Sequence, residues 1–234
     1  MTPARAPDAG SALDGLVLAL DASTYAGTVA VLRGGSVVLA REARMRGEHE
    51  ERLLPAVAES LQLAGASPAD VDAVVCGAGP GSFTSLRIAA SIAKGLATSR
   101  VIPLYAVSSL ALVVAGAVPP LAPGRYLASL DAMRGERFAQ LVVVETEGTV
   151  RADGESHRVP ADRIEALARE LSATAVGPGA AREAMPHARG VAPLLPSLRA
   201  GASVSLDAWE PDYGRLAEAQ VKWEAAHGRP LSAG

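Results

Sequence analysis

The sequence predicts an α/β protein of two related lobes, each a mixed sheet with flanking helices, and three observations predict it. An apolar run ending in Asp-Ala occurs twice, as Leu20-Asp21-Ala22 and Leu130-Asp131-Ala132. A short apolar run leading into Gly-Pro-Gly also occurs twice, at Gly79-Pro80-Gly81 and Gly177-Pro178-Gly179. The two pairs recur at offsets of the same order, and a helical pattern lies between each Asp-Ala and its glycine corner.

Taken in order, residues 1–14 are rich in Ala, Pro, Gly and Asp, lack the apolar core of a signal peptide, and read as a disordered extension. Residues 16–21 are an apolar strand and 22–27 a loop of small residues. Strands 28–32 and 37–40, joined at Gly34-Gly35, complete an antiparallel meander with Asp21 at its first turn. Leu53, Leu54, Val57, Leu61 and Ala64 mark an amphipathic helix, with Pro55 tolerable in its first turn and Gly65 as its stop. Residues 71–76 form a buried strand and 77–81 a sharp turn. Ser82 or Thr84 then caps a helix ending near Ser99, and strand 101–107 closes a first lobe spanning 15–110.

The second lobe, 111–212, repeats the pattern after a linker at 119–124. Residues 126–132 end in Asp-Ala, 138–144 form a second strand, and Gly148 turns toward a third. A helix at 164–171 and a strand at 174–176 lead to the second Gly-Pro-Gly corner. Residues 213–228 read as an amphipathic helix with Leu216, Ala219, Val221 and Trp223 available to pack on the first lobe. Glu218 and Lys222 are spaced to pair on it, and 229–234 form a tail.

The first corner has two readings. Glycines before a helix N-terminus let backbone approach an anion, so 77–82 is either a degenerate phosphate corner or a structural tight turn. Neither phosphate signature is complete: Gly81 is followed by Ser82-Phe83 where a Walker loop needs lysine, and a dinucleotide fingerprint needs glycine at Ser82. The helix that follows carries Arg87, Ser91, Lys94 and Thr98 on one narrow stripe. Its apolar residues fill an arc of roughly 200°, about twice what a helix on one sheet requires. Much of that surplus is alanine, which permits a second helix to approach closely, whether from this chain or from another protein.

Composition narrows the classes. The chain is 234 residues long and 49% hydrophobic, with a net charge of -3 that argues against a broad nucleic-acid footprint. Lysine occurs only at Lys94 and Lys222, so nearly all of the 22 basic residues are arginine. Cys76 is the only cysteine, which excludes an internal disulfide and suits a reducing compartment. The longest apolar run, 110–118, is too short to cross a bilayer. These features lead us to expect a cytoplasmic protein without a membrane segment.

A duplicated meander with an acid at its first turn, then a helix and a glycine corner, resembles the sugar kinase, heat-shock chaperone and actin ATPase superfamily, in which two lobes face each other across a nucleotide cleft. A closer resemblance lies in five segments: Leu20-Asp21-Ala22-Ser23-Thr24, Leu53-Leu54-Pro55, Gly79-Pro80-Gly81-Ser82-Phe83-Thr84-Ser85-Leu86-Arg87-Ile88, Ala93-Lys94-Gly95-Leu96-Ala97 and Val107-Ser108-Ser109-Leu110. In that order they resemble the TsaB (YeaZ) family and cover most of residues 16–110. The second half matches loosely, mainly at Asp131 to Glu136. Ser85 stands where the family usually has glycine, which puts close packing at the start of a partner-facing helix in question.

That resemblance implies a non-catalytic partner of TsaD. With the small ATPase TsaE, the pair transfers a threonylcarbamoyl group to the adenosine after the anticodon in tRNAs reading codons that begin with A. It also implies that this chain binds no cofactor alone, that ATP and a metal belong to the partner subunits, and that tRNA is reached through the complex. The free chain is a candidate homodimer. The helices near 52–64 and 82–98 are expected to meet the matching pair of TsaD through Leu53, Leu54, Val57, Leu61, Ser82, Phe83, Thr84, Leu86, Arg87, Ala90, Ala93, Lys94 and Ala97. Ala93→Arg is then expected to block that contact.

The residues offer little for catalysis by this chain alone. Laying the metal-binding His-x-x-x-His pair of TsaD on this chain puts Ser109 and Val113 at the ligand positions, and neither can hold an ion. His49, His157, His187 and His227 are scattered and read as surface residues. Residues 49–53 fail the zincin pattern, and no nucleophile elbow is present. Cys76, before a helix N-terminus, is either a thiol of lowered pKa or, the reading preferred here, a buried structural cysteine. Asp21 and Asp131, with Ser23 and Thr24, stand where nucleotide contacts lie in the superfamily; the alternative is two acids capping meander turns. The rival to a scaffolding subunit is an autonomous ATPase or kinase using Asp21 and Asp131. A peptidase, suggested by an old glycoprotease label on the paralogue, has no metal pair or triad to rest on.

Overall fold

Residues Leu16–Asp21 are apolar up to their last position and form β1, whose side chains alternate between two cores. Val17 and Ala19 face one, Leu16, Leu18 and Leu20 the other. A strand buried on both faces reads as a continuous apolar run instead of an alternating one. In the computed structural model, which describes residues 11–44 and 52–214, β1 is the centre of the first of two five-stranded sheets.

Around it lie β2 (Ala26–Arg33) and β3 (Ser36–Arg44), antiparallel, and β4 (Ala73–Gly77) and β5 (Leu104–Val107), parallel, in the order β3-β2-β1-β4-β5. The second sheet repeats this plan. Strand β6 (Gly124–Asp131) pairs antiparallel with β7 (Glu136–Val144), β7 with both β8 (Val150–Ala152) and β9 (His157–Pro160), and β10 (Thr174–Val176) lies parallel to β6. Asp21 and Asp131 thus end the first strand of their respective sheets, as the repeat predicts.

Helices fill the layers. On the outer face of the first sheet, α1 (Leu53–Leu63) and α2 (Phe83–Arg100) close a core with Leu18, Leu20, Val29 and Val74. The short α3 (Ser109–Ala115) and α5 (Val191–Ala200) lie between the sheets, in a shared core running from Val17 and Leu32 to Tyr126, Phe138 and Val142. On the far face of the second sheet, α4 (Ile164–Glu170) covers Leu127, Ala139 and Ala175. The lobes are also joined by polar contacts: the Ser108 hydroxyl donates to Gln140 Oε1 (2.5 Å), and the Ala188 N–H to Thr28 Oγ1 (3.0 Å).

Several expectations shift. Ser11–Asp14, assigned above to a disordered extension, form a 3-10 turn whose Leu13 is buried in the inter-lobe core. The apolar run after residue 108 is α3, and α5 has no counterpart in the sequence reading. Val101 is a left-handed C-cap of α2 (φ 55°), so β5 starts later, at Leu104. No helix directly follows the second Gly-Pro-Gly corner: Arg182 instead pairs with the end of β10, its N–H donating to the Ala175 carbonyl (3.2 Å) and its carbonyl accepting the Gly177 N–H (3.0 Å), and the chain resumes helically only at Ala188. The expected helix over 213–228 lies outside the described residues except for Tyr213 and Gly214, which are not helical. No helix among the described residues is long and apolar enough to cross a membrane.

Candidate functional site

Two features of the fold are candidates, a cleft between the lobes and the outer face of α1 and α2. The cleft, about 1190 Å³, opens where β1, the corner before α2 and the β6–β7 turn converge, and its walls include Thr24, Phe83, Asp131, Arg134, Arg158 and Tyr213. The two acids of the repeat part company here. Asp131 is exposed at the wall, its Oδ1 accepting the Met133 N–H (2.8 Å). Asp21 is 0% exposed and turned inward.

Asp21 is held from three directions. Its Oδ1 accepts from the Ser23 N–H (3.0 Å) and hydroxyl (2.8 Å), and its Oδ2 from the Ser109 hydroxyl (2.5 Å), which itself accepts from the Gly79 N–H (3.0 Å). One carboxyl therefore ties together the β1–β2 turn, the start of α3 and the glycine corner. Burial raises its pKa from the ordinary carboxylate value, and the three hydrogen bonds only partly offset that. The corner glycines fit the same packing. A Cβ on Gly77 would sit 1.9 Å from Asp21 Oδ2, and one on Gly81 2.2 Å from the Ser23 carbonyl oxygen.

Of the residues expected to touch a nucleotide, Asp21 and Ser23 are buried against each other; Ser23, Thr24 and Asp131 line the cleft, and Asp21 does not. Of the two readings of the first corner, this packing favours the structural tight turn. Arg134 and Arg158 were not anticipated as cleft residues. The signal that could have found Arg134 is the Asp-Ala-Met-Arg-Gly turn, whose Met133 and Arg134 both adopt positive φ (63° and 54°) before Gly135; Arg158, on β9, has no such signal.

The helix pair sorts differently from the sequence reading. Leu53, Val57, Leu61, Leu86, Ala90, Ala93 and Ala97 are all buried within this chain; their side chains are therefore not available to a partner. The reason is that each helix turns most of its apolar stripe onto the sheet, and α2 also packs beside α1. Outward remain Leu54, at 54% exposure, with Thr84, Arg87 and Ser91, while Ser82, Phe83 and Lys94 are half-buried. Ser85, which stands where the family usually has glycine, is buried and shares a hydrogen bond with Ser82 Oγ (3.1 Å), so it packs inward at the start of α2. Part of the apolar surplus on α2 is covered from within the chain. Val204, Leu206 and Trp209 pack against the same core as Ile88, Ile92 and Leu96, with Lys94 over the Trp209 ring at 5.8 Å.

Other candidates resolve into structure. His187, expected at the surface, is buried; His157 is exposed, and His49 and His227 lie outside the described residues. Cys76 is buried, and burial together with the Asp21 charge pushes its thiol pKa well up, the opposite of an activated nucleophile. Among the described residues no three His, Cys, Asp or Glu side chains are grouped to hold a metal ion.

Residues 43–204 match the family TsaD, tRNA N6-adenosine threonylcarbamoyltransferase. The chain is 30% identical over 232 residues to the tRNA threonylcarbamoyladenosine biosynthesis protein TsaB of Bacillus subtilis, covering 88% of this chain and 97% of that protein. It is 40% identical over 122 residues to the protein of the same name from Escherichia coli, an alignment spanning about half of each, 52%. Among solved structures, YeaZ from Pseudomonas aeruginosa superposes with a TM-score of 0.71 at 30% identity, covering 85% of this chain and 99% of that one.

Proposed function

Because the chain belongs to the TsaB (YeaZ) family, itself part of the wider TsaD family, we propose that it serves tRNA threonylcarbamoyladenosine biosynthesis as a non-catalytic subunit docking on a TsaD-type transferase. With a TsaE-type ATPase, that complex would transfer the threonylcarbamoyl group to the adenosine after the anticodon. ATP and metal then belong to the partner subunits, and tRNA is met through the complex. The observation that carries this reading is the side-by-side placement of α1 and α2 on the outer face of the first sheet, with Leu54, Thr84, Arg87 and Ser91 left outward. Such a pair offers an apolar anchor and a cation to a second helix pair.

The inward Asp21 supports a scaffold over the autonomous ATPase or kinase, because an acid that faces metal or phosphate must reach the cleft. What favours the rival is the cleft itself, with Asp131, Thr24 and Arg134 on its walls. Titration of the isolated chain with Mg-ATP separates the two, since tight binding by the lone subunit favours the enzyme.

The decisive experiment measures threonylcarbamoyladenosine in bulk tRNA by nucleoside mass spectrometry after depleting the protein and restoring it. The nucleoside is expected to fall, to return with the wild-type chain, and to stay low with Leu54→Arg, a substitution at an exposed position. Ala93→Arg is unsuitable as the probe, because Ala93 is 0% exposed within this chain's own core. An unchanged nucleoside level after depletion refutes the reading.

A further inference from the structure

The segment 204–214 returns from the second lobe across the first and ends at the cleft. It starts as an edge contact, with the Val204 N–H donating to the Leu104 carbonyl of β5 (2.8 Å), and Trp209 then lies against Lys94 of α2. At the glycine corner the Asp212 N–H donates to the Ala78 carbonyl (2.7 Å). The Asp212 carbonyl is pressed so close to Gly79 that a Cβ there would be 2.2 Å from it. Tyr213 stacks obliquely on Phe83, with ring centres 4.5 Å apart, and the Arg87 guanidinium lies 4.6 Å from the centre of that same Phe83 ring. Gly214 abuts Phe138 of β7, where a Cβ would come within 2.3 Å of the ring.

These contacts form one line, Arg87 to Phe83 to Tyr213 to Gly214 to Phe138, from the outer stripe of α2 across the cleft mouth to the second lobe. Arg87 is exposed, and its guanidinium has no ion pair among the described residues, so the Phe83 ring is what orders it. A long side chain ordered before binding loses less rotamer freedom when a partner arrives. Phe83 is itself only half-buried, and its ring packs on that of Tyr213.

We infer that Tyr213 is a positioning residue for partner docking: through Phe83 it presets Arg87 for a carboxylate on the partner's helices, and it couples that docking to the second lobe through Gly214 and Phe138. The inference rests on the docking reading given above and adds to it a residue that lies off the docking face. Coupling of this kind is reciprocal, so partner binding must in turn steady the segment and Phe138.

The test is isothermal titration of purified wild-type and variant chains with a purified TsaD-type partner. Tyr213→Ala is expected to weaken binding about 5- to 10-fold, the range of one aromatic or cation–π contact, without altering the circular dichroism spectrum. Tyr213→Phe keeps the ring and loses only the hydroxyl contact to Glu210 (3.3 Å), so it should bind like the wild type. In an Arg87→Ala background, Tyr213→Ala should cost no more than about 2-fold further, because both changes act on one contact. Hydrogen exchange at residues 211–214 and in the β7 peptide carrying Phe138 should slow in the complex. Tyr213→Leu, which retains apolar bulk, replaces the alanine variant if that fails to fold. Unchanged affinity in a folded Tyr213 variant, an equal loss in both backgrounds, or unaltered exchange at Phe138 overturns the inference and leaves the docking reading standing. A wild-type chain that does not bind the partner overturns both.

Discussion

Acidification should destabilise this protein through one histidine. His187 is 4% exposed; its Nδ1 accepts the Arg189 N–H (3.1 Å), and its Nε2 has no hydrogen-bond partner among the described residues. Burial, and secondly the positive charge of Arg189, hold its pKa down to about 4 against an ordinary 6.5. A base whose folded pKa is depressed takes up its proton more readily when unfolded. Above pH 6.5 both states are neutral and nothing is lost; the loss grows as pH falls below 6.5 and levels off below about 4. At about 1.36 kcal/mol per pH unit the limiting loss is about 3 kcal/mol, and at pH 5 it is about 2 kcal/mol. The assay is urea unfolding at pH 7 and pH 5 for the wild type and for His187→Asn, which keeps a side-chain acceptor for the Arg189 N–H. Asp21 acts with the opposite sign, since an acid with a raised folded pKa adds stability as pH falls through that value; present in both chains, it cancels in the comparison. The wild type should lose about 2 kcal/mol more than the variant between the two pH values. Equal losses would refute the assignment of a neutral buried His187.

Three further outcomes follow from burial. Asp21→Ala leaves the Ser23 and Ser109 donors unpaired and should cost about 2–4 kcal/mol in urea unfolding, whereas Asp21→Asn, which removes the buried charge and keeps an acceptor, should cost less than about 1 kcal/mol. Cys76 should resist iodoacetamide at pH 8 while the protein is folded and react at the rate of a free thiol in 8 M urea, at roughly the ordinary thiol pKa; rapid labelling of the folded chain would contradict its burial. Ala93→Arg should destabilise the isolated chain by several kcal/mol, at least about 3, while Leu54→Arg changes its melting midpoint by less than a few degrees, as differential scanning calorimetry would record.

The strands were legible because the central ones are continuous apolar runs, and the lobes because Asp-Ala and Gly-Pro-Gly recur. What escaped were elements whose environment erases a pattern. Helix α3 is buried on nearly every side between the two sheets, so it has no polar stripe to reveal a helical period. Helix α5 carries Pro193 and Pro196, which read as breakers, although its apolar Val191, Leu194 and Leu195 bury normally in the shared core. The surplus apolar arc of α2 was legible in the alanines. Its cover was not, because Val204 and Trp209 follow it by more than 100 residues in sequence. At the site, the position of Asp21 could be read from the repeat, but its inward turn depends on Ser109, 88 residues further on.

That inward turn bears on how a cleft-bearing fold can serve as a scaffold. In the second lobe the strand-ending acid stays exposed, and the glycine corner is fastened by other means: the Arg137 guanidinium donates to Ser129 Oγ (3.0 Å) and to the Pro178 carbonyl (2.8 Å). In the first lobe the acid itself fastens the corner, through Ser109 to the Gly79 N–H, two residues after the end of β4 and four before α2 begins. The same carboxyl cannot both face a ligand in the cleft and hold that corner. Its burial therefore trades a cleft ligand for a fixed starting direction of α2, the helix whose outer stripe carries Thr84, Arg87 and Ser91. Under the docking proposed above, that exchange is a gain, because a rigid helix start orders the residues beyond it before any partner arrives.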